Sequence, residues 1–163
     1  MKNRYFGLDL SISCPGFAVL EVKKNRKPTL LFYGHLKTNP KLPHGDRLAH
    51  IKSYVEAIRY DYGPFVKVIR EKAFHNARVH ATAGGYKVAG IVDYALRGVE
   101  IEELANSTVK KEVTGNGRAS KDDVEVAVRG WFPEEEFKTD DESDAVAVVL
   151  ACLLREGLIE EVK

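Results

Sequence analysis

The sequence predicts an α/β domain built on a mixed β-sheet, and three features point there. Residues 4–13 open with an apolar run (Tyr5, Phe6, Leu8, Leu10) that reads as a strand buried on both faces, yet it carries Asp9 inside it. Two further short apolar runs follow across turns, which is the pattern of an antiparallel meander. Beyond them, stretches of three-and-four apolar spacing alternate with strand-like runs, as expected of helices packed on a sheet.

Each element has its own signal. After the first strand, Pro15-Gly16 turns the chain into a strand at 17–22. Asn25-Arg-Lys-Pro28 turns it again into a third at 29–36. Asp46 is placed to cap a helix whose face is Leu48, Ile51, Val55, Ile58 and Tyr62, and Gly63-Pro64 ends it. Residues 65–69 are a fourth strand, parallel to the first if the helix is a crossover, with Glu71 just beyond its end. Residues 71–81 show no periodicity and read as a loop.

A helix over 82–96 presents Val88, Ile91, Val92 and Ala95 on one face, and Gly90 leaves room for close approach to another helix. A strand at 99–104 and a short helix at 107–113 precede Thr114-Gly-Asn-Gly117. Ser120 with Asp123 forms a capping box for a helix carrying Val124, Val128 and Trp131, the last assigned to the core. Thr139 with Glu142 forms a second box, opening a helix from Asp140 to about Arg155. Its body from Ala145 to Leu154 is apolar all round and so deeply buried.

The totals narrow the class of protein. At 163 residues the chain is one domain by length, able to bury about 70% of its unfolded surface. Cys14 and Cys152 are far apart and lack metal-type spacing, so both read as reduced thiols of a cytosolic protein. No signal peptide opens the sequence, and no apolar run reaches the ~18 residues of a membrane span. The net charge of +1 conceals a gradient: residues 1–63 carry +6, residues 64–121 +4 and residues 122–163 −9. A basic body with an acidic tail suits a polyanion held near a cation-binding carboxylate site, and equally suits a solvated surface.

The carboxylates are the most informative feature. A buried, unpaired Asp9 costs several kcal/mol, so it is either a metal ligand or an ordinary strand-end residue capping the turn at 11–16. Asp141 and Asp144 stand three apart in the first turn of the final helix and share a face. The helix dipole accounts for negative charge there, but not for Asp140, Asp141, Glu142 and Asp144 within five positions. Asp140 and Glu142 are assigned to capping and solvent. If Glu71 ends the strand beside Asp9, four carboxylates converge and need hard cations; oxygen-only ligands select Mg²⁺ or Mn²⁺. Two such ions roughly 4 Å apart suit phosphodiester hydrolysis.

The motifs Gly7-Leu-Asp-Leu-Ser11, Val68-Ile-Arg-Glu71, Val109-Lys110, Val113-Thr-Gly-Asn-Gly-Arg-Ala-Ser-Lys121 and Asp141-Glu-Ser-Asp-Ala-Val-Ala147 run through essentially the whole chain. In order and spacing the sequence resembles the RuvC-type Holliday junction resolvases, which are ribonuclease H-like nucleases, and is most similar to their short phage-borne branch. The resemblance implies a ribonuclease H-like fold with a mixed five-stranded sheet flanked by helices. It also implies a two-metal site of Asp9, Glu71, Asp141 and Asp144, with Mg²⁺ or Mn²⁺ as cofactor. Lys110 and Lys121 would contact phosphate near the cleaved bond, and Phe74 matches an aromatic that pushes against bases at the branch point. The implied partners are branched DNA (four-way junctions, forks and flaps) and a second copy in a homodimer. The implied location is the cytoplasm, that of a bacterial host if the gene is viral. In bacterial members Pro-Gly usually follows the first Asp directly; here Leu10-Ser11 follows and Pro15-Gly16 comes later.

Other residues have weaker readings. Residues 114–121 form a glycine-containing loop entering a helix N-terminus among basic residues, the makings of a phosphate site. This favours DNA contact by Lys121, with Arg78, Lys87, Lys111 and Arg118 as lesser candidates. His75 and His80 are read as phosphate contacts or as uninvolved, since ions that activate water need no histidine base. Three other functions are compatible with parts of the pattern: a sugar-kinase- or actin-like ATPase, a non-catalytic branched-DNA-binding module, and a ribonuclease H acting on RNA–DNA hybrids. The first needs two such domains to clamp a nucleotide, and the second ought to have lost a carboxylate. The loop at 113–121 and the terminal Asp-x-x-Asp argue against the third.

Overall fold

Side chains alternate across the first strand, and that alternation sorts the molecule into layers. In a computed structural model describing residues 3–23, 27–72 and 79–160, β1 (Arg4–Asp9) sits at the centre of a five-stranded sheet. β2 (Gly16–Glu21) and β3 (Thr29–His35) lie antiparallel on one side, β4 (Lys67–Glu71) and β5 (Ile101–Leu104) parallel on the other. The order is β3-β2-β1-β4-β5.

Phe6 and Leu8 point to one face, where they pack with Phe17, Val19 and Val68. That face is covered by Ile51, Val55 and Ile58 of α1 (His44–Tyr62) and Val88, Val92 and Leu96 on or just beyond α2 (Val79–Ala95). Tyr5, Ala18, Leu20, Ile69 and Leu104 point to the other face. There α5 (Asp140–Arg155) lies on the sheet, flanked by α3 (Asn106–Thr114) and α4 (Lys121–Trp131). From Ala145 to Leu153 every residue of α5 is buried, as its all-round apolarity predicts. Trp131 is in this core, 6% exposed. Gly7 and Gly16 are why α5 lies so close: a Cβ on Gly7 would strike the Ala145 carbonyl, and one on Gly16 the Asp141 carbonyl.

Several boundaries differ from the sequence reading, each for a local reason. α1 begins at His44 rather than after Asp46; Pro43 precedes it, its carbonyl accepting Arg47 N–H at 3.2 Å, and no side chain caps it. A proline's fixed φ suits a helix entry, and Asp46 is left to favour the dipole from the first turn. β4 runs two residues later than expected because its pairing with β5 extends to Glu71↔Leu104, so Glu71 is the last strand residue. α2 starts at Val79, inside the stretch read as a loop. Gly90 meets nothing within 4 Å, so no described element of this chain uses it for close approach. No described helix is long and apolar enough to cross a membrane.

Candidate active site

The register of the sheet brings the carboxylates to one end. Asp9 follows Gly7 by two on β1, so it faces α5, and Glu71 follows Ile69 by two on β4 and faces the same way. Asp9 pairs across the ladder with Gly16, the residue against which the first turn of α5 rests. Arg70, 8% exposed, fixes the end of β4: its guanidinium donates to Asp93 Oδ1 at 2.6 Å and Glu103 Oε1 at 2.8 Å.

Asp9, Glu71, Asn106, Lys110, Lys121 and Asp144 line a cavity of about 120 Å³. Asp141 is not among the lining residues; its carbonyl lies against Gly16, and its charge acts on Asp9 and on the Cys14 thiol. Burial pushes the Asp9 carboxyl up to about 8, and the charges of Asp144, Asp141 and Glu71 add to the effect, against the opposing charge of Lys121. Burial likewise raises Asp144 to about 6, although Lys121 Nζ lies 3.6 Å from its Oδ2. Cys14 is pushed up to about 11, chiefly by burial and then by the neighbouring Asp141, so it remains a thiol. Glu71 Oε1 accepts a hydrogen bond from Asn106 Nδ2 at 2.9 Å. Asp9, Glu71 and Asp144 thus turn oxygen donors alone into one cavity, with the charged forms of Asp9 and Asp144 disfavoured by burial. Such a donor set fits a hard divalent cation and not a soft one, although no three of the four carboxylates have ligand atoms within 4.8 Å of one another.

The candidate DNA contacts divide. Lys110 and Lys121 reach the cavity. Arg118 is exposed outside it, on the loop where its N–H donates to Asn116 Oδ1. Lys87 is exposed on α2 beside His44, and Lys111 is exposed on α3. Phe74, His75 and Arg78 lie outside the described residues, as does the side chain of His80.

Two residues escaped the sequence reading. Asn106 at the start of α3 carries no local pattern; only the pairing of β4 with β5 brings it to Glu71. Glu142, which the sequence assigns to capping and solvent, is not in solvent: it is 3% exposed, with Oε1 2.7 Å from His35 Nδ1. The second capping box is half formed. Thr139 Oγ1 accepts Glu142 N–H, but Glu142 Oε2 reaches Lys138 N–H instead of Thr139. Among the described residues the one group of three acidic or thiol side chains with ligand atoms within 4.8 Å of one another is Glu102, Cys152 and Glu156, outside this site. There Lys67 Nζ already supplies the positive charge, 2.9 Å from Glu102 and 2.5 Å from Glu156.

Fold and site together define a nuclease of the ribonuclease H-like class. The Thermus thermophilus RuvC structure in complex with a Holliday junction substrate superposes with a TM-score of 0.87 at 26% identity, covering 94% of each chain. Crossover junction endodeoxyribonuclease RuvC of Heliobacterium modesticaldum is 33% identical over 148 residues, 90% of this chain and 91% of that protein. The Rickettsia massiliae enzyme of the same name is 33% identical over 150 residues, 91% and 95%. The model of the family described as crossover junction endodeoxyribonuclease RuvC matches residues 5–152. The chain belongs to the RuvC family. It is an endodeoxyribonuclease of crossover junctions, dependent on a divalent metal.

Proposed function

We propose that the chain resolves four-way DNA junctions, and cuts related forks and flaps, as a homodimer in the cytoplasm. Asp9, Glu71, Asp141 and Asp144 would hold two Mg²⁺ or Mn²⁺ ions. The observation that carries this reading is the placement of Asp9. It is half-buried at the end of the central strand, and the three carboxylates whose charges oppose its ionisation come from two other parts of the chain, Glu71 from β4 and Asp141 and Asp144 from the start of α5. Such an arrangement is unfavourable without cations, and a fold gains nothing from it structurally. Bound there, the ions supply activation of the attacking water and stabilisation of charge developing on the phosphodiester oxygens.

The protein's own groups do the rest. Asn106 orients Glu71, and the Gly16–Asp141 contact fixes the first turn of α5. Lys110 and Lys121 supply positive charge at the mouth, where the scissile phosphate is held; Lys121 is an exposed residue whose ammonium is shared with Asp144. Phe74, Arg78 and Arg118 are proposed to contact the junction arms and branch point, a base–aromatic stack being worth ~1–3 kcal/mol. The open face of α2, where Gly85 and Gly90 meet nothing within 4 Å and Tyr94 is 55% exposed, supports a second copy docking there.

The test is cleavage of a synthetic four-way junction, a fork, a flap and an RNA–DNA hybrid side by side, with Mg²⁺ or Mn²⁺. Junction cleavage by the wild type and binding without cleavage by Asp9→Asn are expected. Wild-type rates from Asp9→Asn, or preferential cutting of the hybrid, would contradict the proposal.

A further inference from the structure

Three strand ends form one row beneath the first turn of α5. Asp9 pairs with Gly16, and Gly16 pairs with His35. Above the row Asp141 rests its carbonyl on Gly16, and Glu142 sets its carboxylate against His35, Oε1 to Nδ1 at 2.7 Å. The other oxygen, Oε2, accepts Lys138 N–H at 2.7 Å. Glu142 is thus 3% exposed with both oxygens engaged, although Asp140, Asp141 and Asp144 are its neighbours in the same turn. Capping does not account for this, because Thr139 already caps the helix. Neither does substrate contact, because His35 and Glu142 lie outside the lining of the carboxylate cavity.

We propose that His35 and Glu142 are a positioning pair. Their contact fastens the first turn of α5 to β3 and so sets where Asp141 and Asp144 stand relative to Asp9. Glu142 lies directly after Asp141 and two before Asp144, within one rigid turn, so a shift of the turn moves both aspartates together. Metal–ligand distances tolerate about 0.2 Å, so a small tilt is enough to spoil a shared ion site. β2 holds the turn through Gly16, β1 holds the following stretch of the helix at Ala145 and Val149 through Gly7, and β3 holds the turn through this pair. Removing the pair frees one side of the turn while the sheet and the buried body of α5 remain.

The inference rests on the ligand roles proposed above, and the experiment separates the two. Mn²⁺ binding to the protein without DNA is measured by electron paramagnetic resonance for the wild type, Asp9→Asn, His35→Ala, Glu142→Ala, the double alanine variant and Glu142→Gln. Urea unfolding is followed in parallel. Each single alanine variant is expected to bind Mn²⁺ about tenfold more weakly, the usual scale for removing a partner that orients a metal ligand. The double variant is expected to be no weaker than either single. Glu142→Gln, which keeps an acceptor for Lys138 and offers an amide to His35, should stay within about threefold of the wild type.

Alanine variants that lose stability but bind Mn²⁺ like the wild type would overturn the pairing role, as would effects that multiply in the double variant. If Glu142→Ala does not fold, His35→Ala and Glu142→Gln decide by the same criteria. Equal Mn²⁺ binding by wild type and Asp9→Asn would overturn the ligand roles, and the inference with them.

Discussion

Asn106 Nδ2 donates to Glu71 Oε1 at 2.9 Å, joining the first residue of α3 to the last residue of β4. The bond fixes one lone pair of a carboxylate that faces the cavity and leaves the other oxygen for a cation. Replacing Asn106 with Leu removes the donor at similar size. Junction cleavage at limiting Mg²⁺ is expected to fall about 10–100-fold, with most of the loss recovered at high Mg²⁺. Rates measured across a Mg²⁺ titration check this; an unchanged half-saturation contradicts it.

Asp9 makes the metal-free protein sensitive to pH. Its folded-state value, about 8, lies above the ordinary carboxylate value, so the folded protein holds that proton more tightly than the unfolded chain does. The stability this contributes is complete below about pH 4 and is lost as pH rises to about 8; Asp144, raised to about 6, acts in the same direction over a narrower range. In chelator, Tm is expected to fall across that window. Asp9→Asn should flatten the fall and raise Tm at pH 8 by roughly 4–8 °C, equivalent to about 2 kcal/mol. Calorimetry at several pH values checks both statements.

Lys121 opposes the protonation of Asp9 and Asp144, and its own ammonium is held above the ordinary lysine value, first of all by Asp144. In Lys121→Met both carboxyls therefore bind protons more tightly. The acid limb of the cleavage-versus-pH profile is expected to move to higher pH, and the rate at pH 7 to drop about tenfold with the lost phosphate contact. A limb that stays in place would show that Lys121 does not act on these groups.

Gly16→Ala tests the close approach of α5. The added methyl has no room beneath the Asp141 carbonyl, so the first turn of the helix must lift. A loss of about 1–3 kcal/mol is expected, with Mn²⁺ affinity reduced alongside it. Denaturant unfolding and Mn²⁺ binding on the same preparation check the two effects together.

How far the sequence reveals this site depends on the range of the interaction concerned. Asp9 stands out because an acid within an apolar strand breaks a local pattern, and Asp141 and Asp144 because helical spacing puts them on one face beside an apolar body. The α5 core and Trp131 follow from periodicity in the same way. Asn106 and Glu142 are different. Each is an unremarkable polar residue at a helix start, and its partner lies 35 residues away for Asn106–Glu71 and 107 away for His35–Glu142. Strand register and the packing of α3 and α5 against the sheet bring those partners together. The same limit explains β4, whose end is set by pairing with Leu104 and not by its own apolar run.

The central claim is that Asp9, Glu71, Asp141 and Asp144 together hold divalent ions. Anomalous diffraction from crystals soaked in Mn²⁺ tests it most directly. The account predicts two peaks roughly 4 Å apart, with Asp9 contacting both and Glu71, Asp141 and Asp144 completing the shells. Peaks elsewhere, or none within coordination distance of Asp9, would contradict it.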